Sequence, residues 1–544
     1  MEPLEVISGY PRHDTTVTGV LSSRIAAVPK REFLVFGSRN WTYAEFGIAV
    51  ERAAALFHAR GVRAGDRIGV VSANHPTTVM TLFALAQLGA IMVPVNPDYG
   101  IEEARYVLSH AAVAGVVCAP ATLATTRLAC AAIEPAPWFV LNEPGEGGMP
   151  DMETELARLD ASAPTPTSMA EGTCLFIYTS GTTGFPKGVM HSQRSLVVAG
   201  EGFVERMELQ PGERMLCILP LFHINAVHYS LFGALAAGAT LILAPKFSAS
   251  TFWKTVFDTR ATEVNTIAAV TSILLRRPRN EFVPGHSLRK VYGAPLTPET
   301  LEVFGKEFGV PHLIEGYGMS EIPGVLNNPF HGPHKVGSMG RLSRHPDPAV
   351  ELARARIVDE SGNAVPEGAT GELEVITPIV MQGYFRDPEQ TAAAFHEGWF
   401  KTGDLAWRDA DGFHWFVARK KDIIRKRGEN ISGAELDRII GLHPEVLEAA
   451  AIAVPAELGE DEILAAVVRR PGATVSARDI ALWCGAHLAP IKVPRYVAFV
   501  EELPHTPTHR VEKFKLKADP ALRERAVDLG ADPGVDPAVK TTFT

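Results

Sequence analysis

The chain has 544 residues, of which 46% are hydrophobic and 21% charged; that is longer than one core usually serves and too apolar for a disordered chain. Its net charge of −10 argues against a nucleic-acid binder, whose phosphate partners demand a basic face. Cys118, Cys130, Cys174, Cys217 and Cys484 show neither metal-type spacing nor the density of a disulfide framework, which points to a reducing, cytoplasmic setting.

The first twenty residues carry Glu2, Glu5 and Asp14 and no long apolar run, so no signal peptide or spanning helix is expected there. Between residues 51 and 250, amphipathic helical stretches alternate with short β-branched runs, beginning with 53–60, 67–72, 78–88 and 91–95. The rhythm returns with strand-like 175–178 and 215–219, helical 229–236 and strand-like 240–243. Such alternation predicts a layered α/β domain with crossover helices. The apolar stretch 81–95 is too short to cross a bilayer and contains Gly and Pro, so it reads as core.

Past Arg354 the texture changes to strands with tight turns at Ser361-Gly362-Asn363 and Asp409-Ala410-Asp411-Gly412, a small β-rich section closing the main body. From Lys421 a short α+β segment follows, with a helix over 431–440 and a buried strand over 449–454. The expected organisation is a large N-terminal α/β domain over 1–420, a small C-terminal lid over 421–520 hinged near Lys421, and a frayed tail over 521–544.

The run Thr179-Ser180-Gly181-Thr182-Thr183-Gly184-Phe185-Pro186-Lys187-Gly188 follows the apolar strand ending at Tyr178. Its glycines let backbone N–H groups turn toward an anion, its hydroxyls can donate, and Lys187 adds a point charge, so the loop is suited to holding phosphates. It is not a Walker loop: Lys187 precedes a glycine and a further strand rather than Ser/Thr and a helix. A second concentration of charge, residues 419–430, places six cations in an otherwise acidic chain; a solvated face is the usual explanation for such a run.

Together with Gly316-Tyr317-Gly318-Met319-Ser320-Glu321 and Trp399-Phe400-Lys401-Thr402-Gly403-Asp404, the loop resembles the adenylate-forming superfamily of acyl-CoA synthetases, luciferases and adenylation domains. The likeness runs in order from about Trp41 to Lys517, and Arg427-Gly428-Glu429-Asn430-Ile431-Ser432 is similar to the branch containing carnitine and crotonobetaine CoA ligases. The resemblance implies an ATP-dependent acid–CoA ligase using Mg2+, a carboxylic acid and coenzyme A, with a small lid that rotates at the position matching Lys421 after adenylation.

It further implies roles residue by residue. Thr179, Ser180, Gly181, Thr182, Thr183, Gly184 and Lys187 would embrace the β- and γ-phosphates, Glu321 would hold Mg2+, Ser320 the α-phosphate, and Tyr317, within Gly316 to Met319, adenine. Asp404, expected at a turn, and Arg419 would hold the ribose. Gly428, Glu429 and Asn430 would line the CoA tunnel, with cations of the 419–427 run meeting CoA phosphates. Gly293-Ala294-Pro295 would form the pocket floor beside adenine, Gly293 leaving space there. Phe222, His223, Asn225, Val227, Ala268, Gly293, Gly318, Met319 and Ile322 would line the acyl pocket, His223 as gate or wall. Glycine at 318, where acetate-type members carry tryptophan, suggests a longer acid.

The chain departs from the family pattern near its C-terminus, where Thr508-His509-Arg510-Val511 stands in place of Thr-Gly-Lys. Arg510 keeps the charge and adds a planar fork; Lys513 and Lys515 are alternatives. Still open are transfer of the acyl group to a carrier protein or amine, a nucleotide-binding homologue without catalysis, and the oligomeric state, a homodimer included.

Overall fold

Continuous apolar strands buried on both faces are what parallel sheets require, and Ile91–Val95, Gly115–Cys118 and Thr240–Leu243 are such strands. The computed structural model describes residues 1–145, 147–159, 169–179, 186–426, 429–455, 461–505 and 511–531. It divides into one unit of Met1–Ala355, Val375–Phe400 and Asp411–His414 and another of Arg356–Glu374, Lys401–Ala410 and Trp415–Thr544.

In the first unit, among the described residues, one sheet has the spatial order Gly383–Tyr384, Lys187–Ser192, Thr173–Thr179, Ile91–Val95, Arg67–Val71, Gly115–Cys118, Trp138–Leu141. It is parallel from Trp138–Leu141 through Thr173–Thr179 and antiparallel beyond. A second sheet runs in parallel from Glu32–Phe36 through Thr240–Leu243, Arg214–Cys217, Glu263–Asn265 and Lys290–Gly293 to His312–Met319, with antiparallel strands at both edges. The helix Pro76–Gln87 is buried at every position, as a helix packed on all sides must be. His75 accepts from Thr77 N at its start and Pro76 occupies the first turn, where a missing N–H costs nothing. No helix among the described residues is long and apolar enough to cross a membrane. The helix expected over 229–236 begins as a π-helical Ala226–Leu231 and continues as Phe232–Ala237.

The second unit departs from the expected boundaries. Strands Arg354–Val358, Gly371–Ile376, Trp399–Arg408 and His414–Arg419 share one sheet, and Arg356–Glu374, Lys401–Ala410 and the residues from Trp415 fall in one unit with the C-terminal residues. A hairpin Ile423–Lys426/Glu429–Ser432 leads into the helix Gly433–Gly441, whose N-cap Ser432 accepts from Glu435 N; Ile431 therefore lies in a strand. A four-stranded sheet follows in the order Val446–Pro455, Asp461–Arg469, Tyr496–Val500, Val527–Asp528. Residues 521–531 are not the start of a frayed tail. Leu522 and Leu529 are each 1% exposed, Val527 pairs with Val497, and Arg495 pairs with Asp528 at 3.0 Å: two buried leucines and a strand contact suffice to dock the segment.

Candidate active site

Strands Thr173–Thr179 and Lys187–Ser192 pair antiparallel with Thr179 opposite Lys187 and Tyr178 opposite Gly188. The phosphate-loop candidate therefore links two antiparallel strands, with Thr179 and Lys187 at its two ends. Ser180, Gly181, Thr182, Thr183 and Gly184 lie outside the described residues. Gly188 packs closely against Tyr178, since a Cβ there would sit 3.1 Å from its Cζ. The Lys187 ammonium lies 4.8 Å from the centroid of the Tyr384 ring, a cation–π placement. Among the described residues it makes no ion pair. Farther along the strand, His191 is fully buried, and burial holds its imidazole down at about 4, with the Ser320 main chain acting in the opposite direction. Its ring meets that of buried His228 at 4.9 Å.

Glu321 arises from a hairpin. His312–Met319 and Ile322–Asn327 pair with Met319 opposite Ile322, so Ser320 and Glu321 form the two-residue turn. The register shifts between Tyr317 and Met319, and the glycines here are closely packed. A Cβ on Gly318 would lie 2.3 Å from Gly324 N, and one on Gly316 2.2 Å from the Tyr292 hydroxyl. Glycine at 318 is thus demanded by the hairpin backbone itself, whatever the size of the acid. Glu321 is buried; its carbonyl accepts from Met381 N at 2.8 Å and its Oε1 from the Tyr384 hydroxyl at 2.9 Å. Glu315, on the same strand pair, accepts from Leu296 N at 3.2 Å, and burial pushes its carboxyl up to about 7.

Tyr384 and Glu315 escaped the sequence reading. Tyr384 lies 63 residues beyond Glu321, and its only signal is a Gly-Tyr pair after the apolar stretch ending at Met381.

The acyl-pocket candidates have mixed surroundings. Phe222 and His223 follow the strand Arg214–Cys217 in a turn closed by His223 N donating to Pro220 O at 3.0 Å, with their rings 4.7 Å apart; burial pushes His223 down to about 4. Asn225 precedes the π-helical turn and Ala268 opens the helix Ala268–Arg276, both part-exposed like Met319. Val227 and Ile322 are buried, and Gly318 is exposed. Gly293 does not leave open space: a Cβ there would meet Thr266 Oγ1 at 2.6 Å. Ala294 and Pro295 follow it in the same connection, joined by a cis peptide bond.

In the second unit Asp404 is not at a turn. It lies inside the strand Trp399–Arg408, where Gly403 takes a φ of +69°, the left-handed geometry glycine adopts freely. Asp404 is fully buried and pairs with Nε of Arg419 at 2.8 Å; Thr402 Oγ1 accepts from Asp404 N and donates to Leu373 O.

The neighbouring cations have acidic partners: Lys420 with Glu372 at 2.7 Å, Arg425 with Glu360 at 2.7 Å, and buried Lys426 with Glu462 at 2.9 Å. Glu429 and Asn430 belong to the hairpin strand opposite Lys426 and Arg425, whereas Gly428 and Arg510 lie outside the described residues. Of the alternatives to Arg510, Lys513 pairs with Asp437 at 2.6 Å and Lys515 with Glu512.

A chain with a large layered α/β unit, a Ser/Thr/Gly segment joining two strands and ending at a lysine, and a buried glutamate near that lysine has the make-up of an ATP-dependent adenylate-forming ligase. The chain belongs to the AMP-binding enzyme family, whose profile matches residues 21–385, with the AMP-binding enzyme C-terminal domain matching 435–510. It is 32% identical to a sulfoacetate–CoA ligase of Cupriavidus necator, over 92% of this chain and 97% of that one. It is 32% identical to an indoleacetate–CoA ligase of Aromatoleum aromaticum, over 89% and 94%. Among solved structures, ATP-bound MatB from Rhodopseudomonas palustris is similar with a TM-score of 0.81 at 27% identity, covering 92% of this chain and 98% of that one.

Proposed function

We infer that this chain is an AMP-forming acid–CoA ligase: carboxylate and ATP give acyl-AMP and pyrophosphate, and CoA then gives acyl-CoA and AMP. The observation that carries the reading is the corner where Lys187, at the end of the Ser/Thr/Gly segment, and buried Glu321 meet the same tyrosine. Curated relatives named as CoA ligases, similar over nearly the whole chain, support the same chemistry.

In the first half-reaction a carboxylate oxygen attacks the α-phosphorus and the bond to the β-phosphate oxygen breaks, so two anions must be brought together and the charge on the leaving pyrophosphate neutralised. Lys187 and the hydroxyls of Thr179, Ser180, Thr182 and Thr183 serve the β- and γ-phosphates, Ser320 the α-phosphate, and Arg510 the carboxylate. The ion pairs of Lys513 and Lys515 support Arg510 in that role. Tyr317 and the Gly293-Ala294-Pro295 segment serve the adenine, Asp404 and Arg419 the ribose.

Among the described residues no group of three or more His, Cys, Asp or Glu stands ready to hold a metal. A single buried carboxylate, Glu321, suits Mg2+, which keeps its waters and relies on substrate phosphates rather than an all-protein cage. When bound, Mg2+ supplies charge neutralisation at the phosphates.

In the second half-reaction the CoA sulfur attacks the acyl carbonyl and AMP departs with the former carboxylate oxygen. Rotation at Lys421, bringing the face of Gly428, Glu429 and Asn430 to the thiol, serves this step. Five free, buried cysteines, all with thiols pushed up by burial, accord with a reducing cytoplasm, where ATP and CoA are found.

The test is pyrophosphate release over a panel of carboxylates, with and without CoA, and mass detection of acyl-CoA. Acid-dependent pyrophosphate release with CoA consumed is the expected result. Release without CoA consumption would redirect the acyl group to another acceptor, and ATP binding without release for any acid would make the chain a non-catalytic homologue.

A further inference from the structure

The segment from Met381 to Phe385 is a strap that touches both halves of the phosphate corner. Its backbone donates from Met381 N to Glu321 O at 2.8 Å, from Gln382 N to Met190 O at 2.9 Å and from Phe385 N to Gly188 O at 2.8 Å. Gly383 and Tyr384 pair with Met190 and Val189 on the strand that begins at Lys187. The strap is itself held: Tyr384 N donates to Thr391 Oγ1 at 2.9 Å, and the Thr391 hydroxyl donates to Asp387 O at 2.7 Å. A Cβ on Gly383 would lie 2.8 Å from the Thr391 methyl, so the strap runs close against the helix Pro388–Ala393 that anchors it. From this position one side chain reaches both functional groups. The Tyr384 hydroxyl donates to Glu321 Oε1 at 2.9 Å, and its ring lies under the Lys187 ammonium at 4.8 Å.

A rotatable glutamate on a two-residue turn and a lysine with four flexible methylenes do not hold a fixed separation by themselves. A shared rigid ring between them does. Because its hydroxyl engages Oε1, Tyr384 also sets the rotation of the carboxylate and so the direction of Oε2, in the way that an outer hydrogen bond orients a ligating group.

We propose that Tyr384 is the positioning residue of the ATP corner: its hydroxyl orients the Glu321 carboxylate toward Mg2+ and its ring holds the Lys187 ammonium toward the phosphates. The inference rests on the functional reading above and assigns to a single residue the coupling between its metal and its phosphate ends. The two functions separate by substitution. Tyr384→Phe keeps the ring and removes the hydroxyl; Tyr384→Leu removes both.

The experiment measures ATP affinity of the full chain by titration calorimetry without acid or CoA, so that no turnover occurs, once in Mg2+ and once in EDTA. The gain in affinity from Mg2+ is expected to shrink by about threefold or more in Tyr384→Phe, as for loss of a group that orients a metal ligand, while affinity in EDTA stays within about twofold. Tyr384→Leu is expected to lose affinity in EDTA as well, since Lys187 loses its support. The melting temperature of each apo variant shows whether it is folded, and where Tyr384→Leu is not, Tyr384→Phe decides alone. A Mg2+ gain that survives Tyr384→Phe intact overturns the inference, as does equal weakening of both variants in EDTA. A wild-type chain that binds no ATP removes the functional reading itself, which is a different result.

Discussion

Lys187 in the first unit and the Arg419–Lys426 run in the second are both concentrations of positive charge at segments resembling functional motifs, yet their surroundings are opposite. Lys187 faces an aromatic ring, with no carboxylate paired to it among the described residues. Arg419, Lys420, Arg425 and Lys426 each have an acidic partner within 2.9 Å. A cation whose charge is not already matched attracts an incoming phosphate at full strength, whereas a matched pair presents little net field. A basic run is therefore an anion site only where its charge remains unanswered, and that is a tertiary fact.

The sharpest way to break this contrast is Lys187→Ala. Removing one preorganised positive group from a site of charge development is expected to slow acid-dependent pyrophosphate release about 100-fold or more, read by a coupled pyrophosphate assay. A rate within a few fold of wild type would deny the lysine its role.

A smaller effect tests the support beneath that corner. His191, on the strand that starts at Lys187, is held at about 4 by burial, below the ordinary 6.5. The folded state therefore binds fewer protons than the unfolded state between these values, and stability, complete above 6.5, is lost as pH falls toward 4. From pH 7 to pH 5 the loss traceable to this histidine is about 1–2 kcal/mol. Calorimetric melting of wild type and His191→Gln across that range is expected to show a weaker pH dependence in the variant; parallel curves would count against it.

The smallest effect is expected in the second unit. Arg425 is 65% exposed and Glu360 77% exposed, so their pair contributes little, and its charge is already answered. Arg425→Ala is expected to change the KM for CoA by less than about twofold. A tenfold rise would show that the pair opens to receive a CoA phosphate, and would erase the contrast between the two regions.

Much of the architecture was legible in the residues. The strand 91–95 is bounded as the apolar run predicts, and the strand Thr240–Leu243 likewise, because a strand buried on both faces leaves an unbroken apolar signal. The two strands that flank the phosphate-loop candidate were legible, with Thr179 opposite Lys187, while Ser180 to Gly184 lie outside the described residues. The misplaced features depend on neighbours distant in sequence. Asp404 looked like a turn residue because Thr-Gly-Asp is turn chemistry, but the strand continues through Gly403 at positive φ. Residues 521–531 looked frayed because composition does not reveal that Val527 meets Val497.

The sequence by itself determined the fold class, the family and the chemical kind of group at each candidate position, since periodicity and motif are properties of adjacent residues. Only the tertiary structure decided which charges are matched, why Gly293 must lack a side chain, and that Tyr384 joins Lys187 to Glu321. Those relations are set by distances between segments tens to hundreds of residues apart, and no local pattern encodes the closure that brings such segments together.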